Sequence, residues 1–364
     1  MKLKIGVLFG TRPEIIKLSP VLRLLRKTRA NYFALHTGQH YSYEMDKLFF
    51  NQLQLPAPKH KLSLPRTGRH GEQTGRMLIE IESILLHEKP DVVLVQGDTN
   101  SVLAGALAAS KIPGTRIGHV EAGLRSYDRQ MPEELNRLVT DHLADYLFAP
   151  TSEARNILLR EGIDRRKVTV TGNTIVDAVF QSLEIARKKV NLDKIFPGAR
   201  KGFYLLTLHR QENVDDRATF KAILEGLERV WRAQKLPIIF PMHPRTKKRL
   251  AQFNLRLPKG VQAIRPVGFL EFLRLEEKAG LILTDSGGVQ EEACILKVPC
   301  VTLRTSTERP ETVKAGGNLI AGHQPNFIFK SAQKILSKPR EWKNPFGDGR
   351  SAERILNILE RDAA

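Results

Sequence analysis

Gly280-Leu281-Ile282-Leu283-Thr284-Asp285-Ser286-Gly287-Gly288-Val289-Gln290-Glu291-Glu292 runs from an apolar segment into a helix through a glycine pair. The apolar part reads as a buried strand that stops at Thr284-Asp285. Ser286-Gly287-Gly288 makes the turn, and Glu291 and Glu292 ride on the helix that follows. This is the layout of a phosphate cradle. Two glycines let the backbone come close to an anion, and the first helical turn offers N–H donors at its positive end. A carboxylate further along that helix is placed to hold a ribose. The plainer reading is an ordinary strand-to-helix turn with Ser286 as its N-cap. The stretch alone favours neither.

A second such unit opens the chain. Lys4 to Phe9 is a short apolar strand, and Gly10-Thr11-Arg12-Pro13-Glu14-Ile15-Ile16-Lys17 follows it. Thr11 and Glu14 have capping-box spacing, and Pro13 is tolerated in a first helical turn. Arg12 and Lys17 then stand at the C-terminal end of the strand, the edge where open α/β sheets bind ligands. Two strand-loop-helix anion sites, one in each half, imply a cleft between two α/β domains.

The bulk composition agrees. At 364 residues two domains are expected, because single cores stop growing near this size. No stretch approaches the roughly 20 apolar residues of a membrane span, and the N-terminus lacks a secretory signal pattern. Cys294 and Cys300 read as buried reduced thiols of a cytoplasmic protein, not a disulfide framework. The net charge of +19, from 58 basic and 39 acidic residues, permits nucleic-acid binding. The basic residues are scattered over helix surfaces without a tail or a basic-aromatic ladder, however. Attraction of a small anionic substrate is the better expectation, with no nucleic-acid partner.

The chain repeats strand, loop and helix, which implies a parallel sheet covered on both faces. Strands are expected at residues 4–9, 32–37, 92–96, 115–120, 146–149 and 168–171, then at 204–208, 238–241, 262–264, 281–284 and 300–303. The Gly172-Asn173-Thr174 turn is the expected junction. The domains are then residues 1–172 and 173–348, with a helix in 351–364 crossing back to cap the first.

Three acids fall at neighbouring loop positions. Asp98 and Glu121 each end or follow a strand, and Glu133 starts a helix. Singly each has a structural explanation, Asp98 as an N-cap and Glu133 as a first-turn acid. Together they are the groups expected for proton transfer, since clustered carboxylates raise one another's pKa. His209-Arg210 follows the first strand of the second half and suits a leaving phosphate. The competing reading is a loop histidine in a surface network. His243 ends the next strand, and Arg309 offers one more anion contact.

Metal chemistry is not expected. His119-Val120-Glu121 matches half of a zinc deaminase signature, but no Cys-x-x-Cys follows, and His-Glu-x-x-His is absent. Gly-x-Gly-x-x-Gly is missing after the first strand, which disfavours a nicotinamide dinucleotide. The inventory suits a sugar diphosphate handled without metal or redox cofactor.

Gly10-Thr11-Arg12-Pro13-Glu14-Ile15-Ile16-Lys17, Thr37-Gly38-Gln39-His40, Gln96-Gly97-Asp98-Thr99, His119-Val120-Glu121-Ala122-Gly123-Leu124-Arg125, Pro132-Glu133-Glu134, Thr171-Gly172-Asn173-Thr174, His209-Arg210-Gln211-Glu212-Asn213 and Asp285-Ser286-Gly287-Gly288 occur in this order. The ordered set, from residue 4 to about residue 322, closely resembles the non-hydrolysing UDP-N-acetylglucosamine 2-epimerases. The resemblance implies an α/β chain of two Rossmann-like domains in a glycosyltransferase-B-like arrangement, with the active site in the interdomain cleft. It implies interconversion of UDP-GlcNAc and UDP-ManNAc by anti elimination of UDP to 2-acetamidoglucal and re-addition, in the service of cell-surface polysaccharide synthesis. By motif position Asp98, Glu121 and Glu133 resemble the acid/base carboxylates and His209 the leaving-group partner. Arg12, Lys17, Phe272, Ser286, Gly287, Gly288, Glu292 and Arg309 resemble the UDP contacts. Val267 stands where some members have Gln. Gln39, Arg210 and His243 resemble an allosteric site for a second molecule of substrate, and the family expectation is a homodimer.

The chemistry fits that resemblance. C2–H of a sugar is a poor acid, so the diphosphate must leave first or concertedly, and Arg and Lys stabilise its charge. Inversion through a planar alkene needs protonation from either face, hence more than one carboxylate. Rivals are a 2-epimerase of a modified sugar such as UDP-2,3-diacetamido-2,3-dideoxyglucuronate, a hydrolysing relative, a glycosyltransferase, and, outside the enzymes, a basic nucleic-acid-binding protein.

Overall fold

The computed structural model describes residues 3–39, 49–64 and 68–362. The chain divides into two compact units, Met1–Gln181 with Phe346–Ala364, and Ser182–Pro345. The dividing line falls inside the helix Thr174–Lys189, which the Gly172-Asn173-Thr174 turn starts.

In the first unit seven parallel strands form one sheet: β1 (Lys4–Phe9), β2 (Asn31–His36), β3 (His60–Lys61), β4 (Val92–Gln96), β5 (Arg116–Val120), β6 (Tyr146–Ala149) and β7 (Val168–Val170). Their order is β3-β2-β1-β4-β5-β6-β7. β1 is buried from Ile5 to Phe9, as a strand covered on both faces must be. Gly6 is required there by contact: a Cβ would lie 2.7 Å from the Phe33 ring. The helix Arg12–Lys27 buries Ile15, Leu18, Val21, Leu22 and Leu25, one apolar stripe at helical spacing. Glu14 in its first turn and Arg26 and Lys27 in its last complement the helix dipole. The helix Ser351–Arg361 returns to pack on it, burying Ile355, Leu356 and Leu359. Each such side chain stabilises by about 1.5–3 kcal/mol. The Asp177 carboxylate accepts the Ser351 and Ala352 N–H groups at 3.2 and 3.0 Å and so caps the helix start.

The second unit repeats the plan with β8 (Tyr204–Thr207), β9 (Ile238–Pro241), β10 (Val261–Ile264), β11 (Ile282–Thr284), β12 (Cys300–Thr302) and β13 (Asn318–Ile320), ordered β10-β9-β8-β11-β12-β13. In both sheets the strand order, though not the strand direction, reverses once, between β1 and β4 and between β8 and β11. Loops leaving such neighbouring strands part to opposite faces and open a crevice at the strands' C-terminal ends. The loops after β1 and β4 carry Gly10-Thr11-Arg12 and Gly97-Asp98. Those after β8 and β11 carry His209-Arg210 and Asp285-Ser286-Gly287-Gly288.

Candidate active site

In the first unit Asp98 stands at the turn between β4 and the helix Asn100–Ala109. Thr99, not Asp98, caps that helix, its hydroxyl accepting from Val102 N–H at 3.4 Å. The Asp98 side chain is thus released from helix capping. It is half-buried and lies 3.4 Å from Arg137 Nε. Burial pushes its carboxyl up, Arg137 and Lys17 pull it down, Glu121 and Glu133 push it up again, and the net direction is upward. Asp98 is therefore within electrostatic reach of both other acids. Glu133 is exposed on the first turn of the helix Pro132–Leu143, while its neighbour Glu134 is buried and accepts the Ser126 and Tyr127 N–H groups at 2.9 and 3.0 Å.

Glu121 follows β5 in the left-handed region, at φ 71°. A non-glycine residue there carries strain that the surroundings must hold. Its N–H and that of Ala122 both go to the Phe148 carbonyl, at 3.1 and 3.2 Å. Its buried carboxylate receives Lys17 Nζ on both oxygens at 2.7 Å, the Gln96 amide on one, and Asn173 Nδ2 on the other at 3.3 Å. Lys17 therefore directs its ammonium to Glu121. Glu14 is a pivot beneath the first loop: its carboxylate accepts Gly10 N–H at 3.0 Å and the Thr99 hydroxyl at 2.8 Å. The Thr11 hydroxyl makes no cap bond, and the Glu14 carboxylate takes the N–H of Gly10, one residue before the N-cap, so the expected capping box does not form in its reciprocal shape. Burial raises the Glu14 carboxyl to about 7. Gln39 is held by Ser101, whose N–H and hydroxyl donate to its amide oxygen at 2.9 and 2.7 Å. His40, the last residue of that motif, lies outside the described residues.

In the second unit Asp285 organises the site. It is fully buried, and one oxygen accepts the His209 and Arg210 N–H groups, both at 2.8 Å, and Asn213 Nδ2 at 3.2 Å. The other lies 3.1 Å from His209 Nδ1. Burial pushes this carboxyl up, but His209 and the backbone donors hold it below the usual range. His209 itself is 44% exposed, with Nδ1 turned to Asp285. The His243 ring lies 6.3 Å from it, and His243 Nδ1 accepts Arg245 N–H at the start of the helix Pro244–Gln252.

The helix Gly287–Ile295 begins after Ser286, which occupies the N-cap position but makes no side-chain cap bond. Ser286 is thus the N-cap by position, as the plainer reading expects, but without the side-chain bond a capping serine usually makes. Neither helical glycine is demanded by packing: a Cβ on Gly288 would meet open space, and one on Gly287 only Glu308 and Arg309 at 3.7 and 3.9 Å. Each glycine costs a helix about 1 kcal/mol, which close approach of an anion would offset. Arg309 thus stands beside Gly287, its Nε 2.8 Å from Glu291. Glu292 is buried on the same helix next to Glu276, whose carboxyl is driven well up by burial and by the Glu292 charge. Phe272 is half-buried and, together with Val267, packs against an apolar core cluster that includes Val289 and Ala293 of the helix that carries Glu292. Arg210 points toward Glu308 at 3.9 Å.

Sequence reading assigned no role to Arg137 or Asp285, and to Glu14 only that of a capping box. Asp285 alone had a visible signal, a carboxylate at a strand end directly before the glycine turn.

Residues 23–360 match the family profile of the UDP-N-acetylglucosamine 2-epimerases. The chain is similar to the UDP-N-acetylglucosamine 2-epimerase of Methanocaldococcus jannaschii, 57% identical over 98% of this chain and 99% of that one. It is also similar to the UDP-2,3-diacetamido-2,3-dideoxy-D-glucuronate 2-epimerase of Pseudomonas aeruginosa, 41% identical over 99% and 100% of the two chains. The crystal structure of the Methanocaldococcus enzyme in complex with UDP-GlcNAc and UDP superposes with a TM-score of 0.85 at 57% identity, covering 99% and 100%.

Proposed function

We propose, from the premise that this chain belongs to the UDP-N-acetylglucosamine 2-epimerase family of isomerases, that it inverts C2 of UDP-GlcNAc by anti elimination of UDP and re-addition to 2-acetamidoglucal. The observation that carries this reading is the Asp98 carboxyl, raised by burial within the field of Glu121 and Glu133. A carboxyl so placed exchanges protons nearer neutrality than an ordinary aspartate. Asp98, Glu121 and Glu133 are assigned the proton transfers at C2. His209, oriented through Nδ1 by Asp285, is assigned the departing diphosphate. Ser286, Gly287, Gly288, Arg309 and Arg12 take the phosphates, with Lys17 shared between them and Glu121. Glu292 takes the ribose and Phe272 the uracil. Tight retention of glucal and UDP then prevents hydrolysis.

The test is proton NMR of UDP-GlcNAc with the pure protein in deuterated water, without added metal. UDP-ManNAc carrying deuterium at C2 is the expected product. No exchange at C2 would overturn the reading, and turnover confined to UDP-2,3-diacetamido-2,3-dideoxyglucuronate would transfer the mechanism to that sugar, as the similarity to the Pseudomonas enzyme allows. Free ManNAc plus UDP would mark a hydrolase.

A homodimer belongs to the same reading. The helices His70–Glu88, Asn100–Ala109 and Pro132–Leu143 pack side by side, and Ile79, Leu86, Leu135 and Val139 on the outer two are exposed. Such a face favours a second copy of the chain. Activation by a second substrate molecule is assigned to Gln39, Arg210 and His243, and sigmoidal rate dependence lost in Gln39→Ala is its test. Among the described residues no helix is long and apolar enough to cross a membrane. A cytoplasmic enzyme is the accompanying proposal.

A further inference from the structure

His119 sits on β5 with no exposed surface. Its Nδ1 is 2.6 Å from Asp141 Oδ1, and its Nε2 is 2.8 Å from the Gly97 carbonyl oxygen. A carbonyl oxygen only accepts. Asp141 is an acceptor too: Arg125 at 2.7 Å and the Gly123 N–H at 3.2 Å bind its second oxygen, and the Arg125 charge favours the ionised carboxylate, whose oxygens only accept. Each ring nitrogen therefore faces an acceptor, and each must donate. A ring with one bare nitrogen would set a lone pair against an oxygen in the interior, where an unmet polar group is costly.

Gly97 has φ 84° and gives its N–H to the Val120 carbonyl at 3.1 Å. With His119 on its carbonyl, both polar groups of Gly97 are tied to β5, the strand that leads into Glu121. The residue that follows Gly97 is Asp98, whose own carbonyl is taken by Asn136 at 2.9 Å. The two carboxylates are thus held in one frame by hydrogen bonds that only the folded interior provides. Burying His119, Asp141 and Arg125 together is not explained by stability. Apolar side chains of similar volume do as well or better than buried ion networks.

We propose that His119, protonated at both ring nitrogens and backed by Asp141 and Arg125, is a positioning residue that sets the direction of Asp98 through the Gly97 carbonyl. It touches no substrate and acts only through that turn. The assignment rests on the epimerase reading above.

The experiment is a long-range proton–nitrogen correlation spectrum of the full chain labelled with nitrogen-15 histidine, at neutral pH. The His119 ring is identified by its loss in His119→Gln or by its displacement in Asp141→Asn, so that one folded variant suffices. Two protonated ring nitrogens are expected, together with a kcat lowered about a hundredfold in His119→Gln, since misplaced catalytic groups cost on that order. KM and UDP affinity should stay within about twofold of the parent, the pattern of an interaction felt only in the transition state. A singly protonated ring, or a His119→Gln enzyme with parental kcat, overturns the proposal. Parental turnover measured alongside separates the two readings. No epimerisation by the parent chain overturns the functional reading; epimerisation with a singly protonated ring overturns this one alone.

Discussion

Lys17 Nζ lies 2.7 Å from both carboxylate oxygens of Glu121, one residue from the helix after β1 and the other from the end of β5. The pair is buried, so neither charge is solvated well without the other. Buried pairs of this kind are poor stabilisers when whole and expensive when halved. Lys17→Met should therefore cost about 3–5 kcal/mol in urea unfolding. Glu121→Gln should fold, retain UDP binding by calorimetry, and lose about 10²–10⁴-fold in turnover. A Glu121→Gln enzyme with the parental rate of deuterium incorporation would remove Glu121 from the chemistry.

Asp98 and Arg137 make a signed prediction about pH. The net shift of Asp98 is upward from burial, with Arg137 the leading opposing influence. The acidic limb of kcat/KM that reports Asp98 ionisation should lie above the ordinary aspartate range. Arg137→Met takes away the pull toward the anion, so the limb should move to still higher pH. Movement to lower pH would contradict the assignment, and Asp98→Asn should abolish turnover.

For His209 and Asp285 the expectation is an orientation effect joined to a stability effect. Asp285→Asn replaces an acceptor of three N–H groups by an amide and should cost about 1–3 kcal/mol of stability. His209→Ala should lose turnover with little loss of stability, because the ring is nearly half exposed. The Asp285 carboxyl is depressed in the fold. Its stabilisation is full above the unfolded pKa and lost as pH falls through the folded one. Denaturation curves for Asp285→Asn should accordingly match the parent more closely in strong acid than at pH 7. An equal gap at both would contradict the linkage.

Glu14 works in the opposite sense. Its carboxyl rises from 4.5 to about 7 on burial, so the folded chain holds a proton that the unfolded chain releases in that interval. The stability it contributes is full below the unfolded pKa and declines as pH rises to about 7, by about 3 kcal/mol in all. Glu14→Gln should flatten this decline in urea titrations between pH 5 and pH 8. An unchanged slope would place the titration elsewhere.

Most strands were legible because parallel strands covered on both faces read as unbroken apolar runs, as in β1, β4 and β6. β3 escaped notice, being only the pair His60–Lys61 at a sheet edge. β13, Asn318–Ile320, is nearly as short and lies at the other sheet's edge. The short helix Gln211–Val214 hides within a motif that reads as a loop. The Asp98 N-cap reading failed because Thr99, one residue on, supplies the oxygen. Capping is decided by where the helix starts, to within a single residue.

Sequence by itself determined the alternation of strands and helices, the apolar faces, the glycine turns and the ordered motifs that mark the family. These depend on local spacing, which a linear reading preserves. Only the tertiary structure decided that Lys17 would face Glu121, that Glu14 would hold Gly10 and Thr99, and that Asp285 would turn His209. Lys17 with Glu121, Glu14 with Thr99 and Asp285 with His209 are pairs far apart in the chain, brought together around the points where the strand order reverses. The same holds for charge. A carboxyl's pKa depends on burial and on neighbours within a few ångströms, and neither exists until the chain has folded.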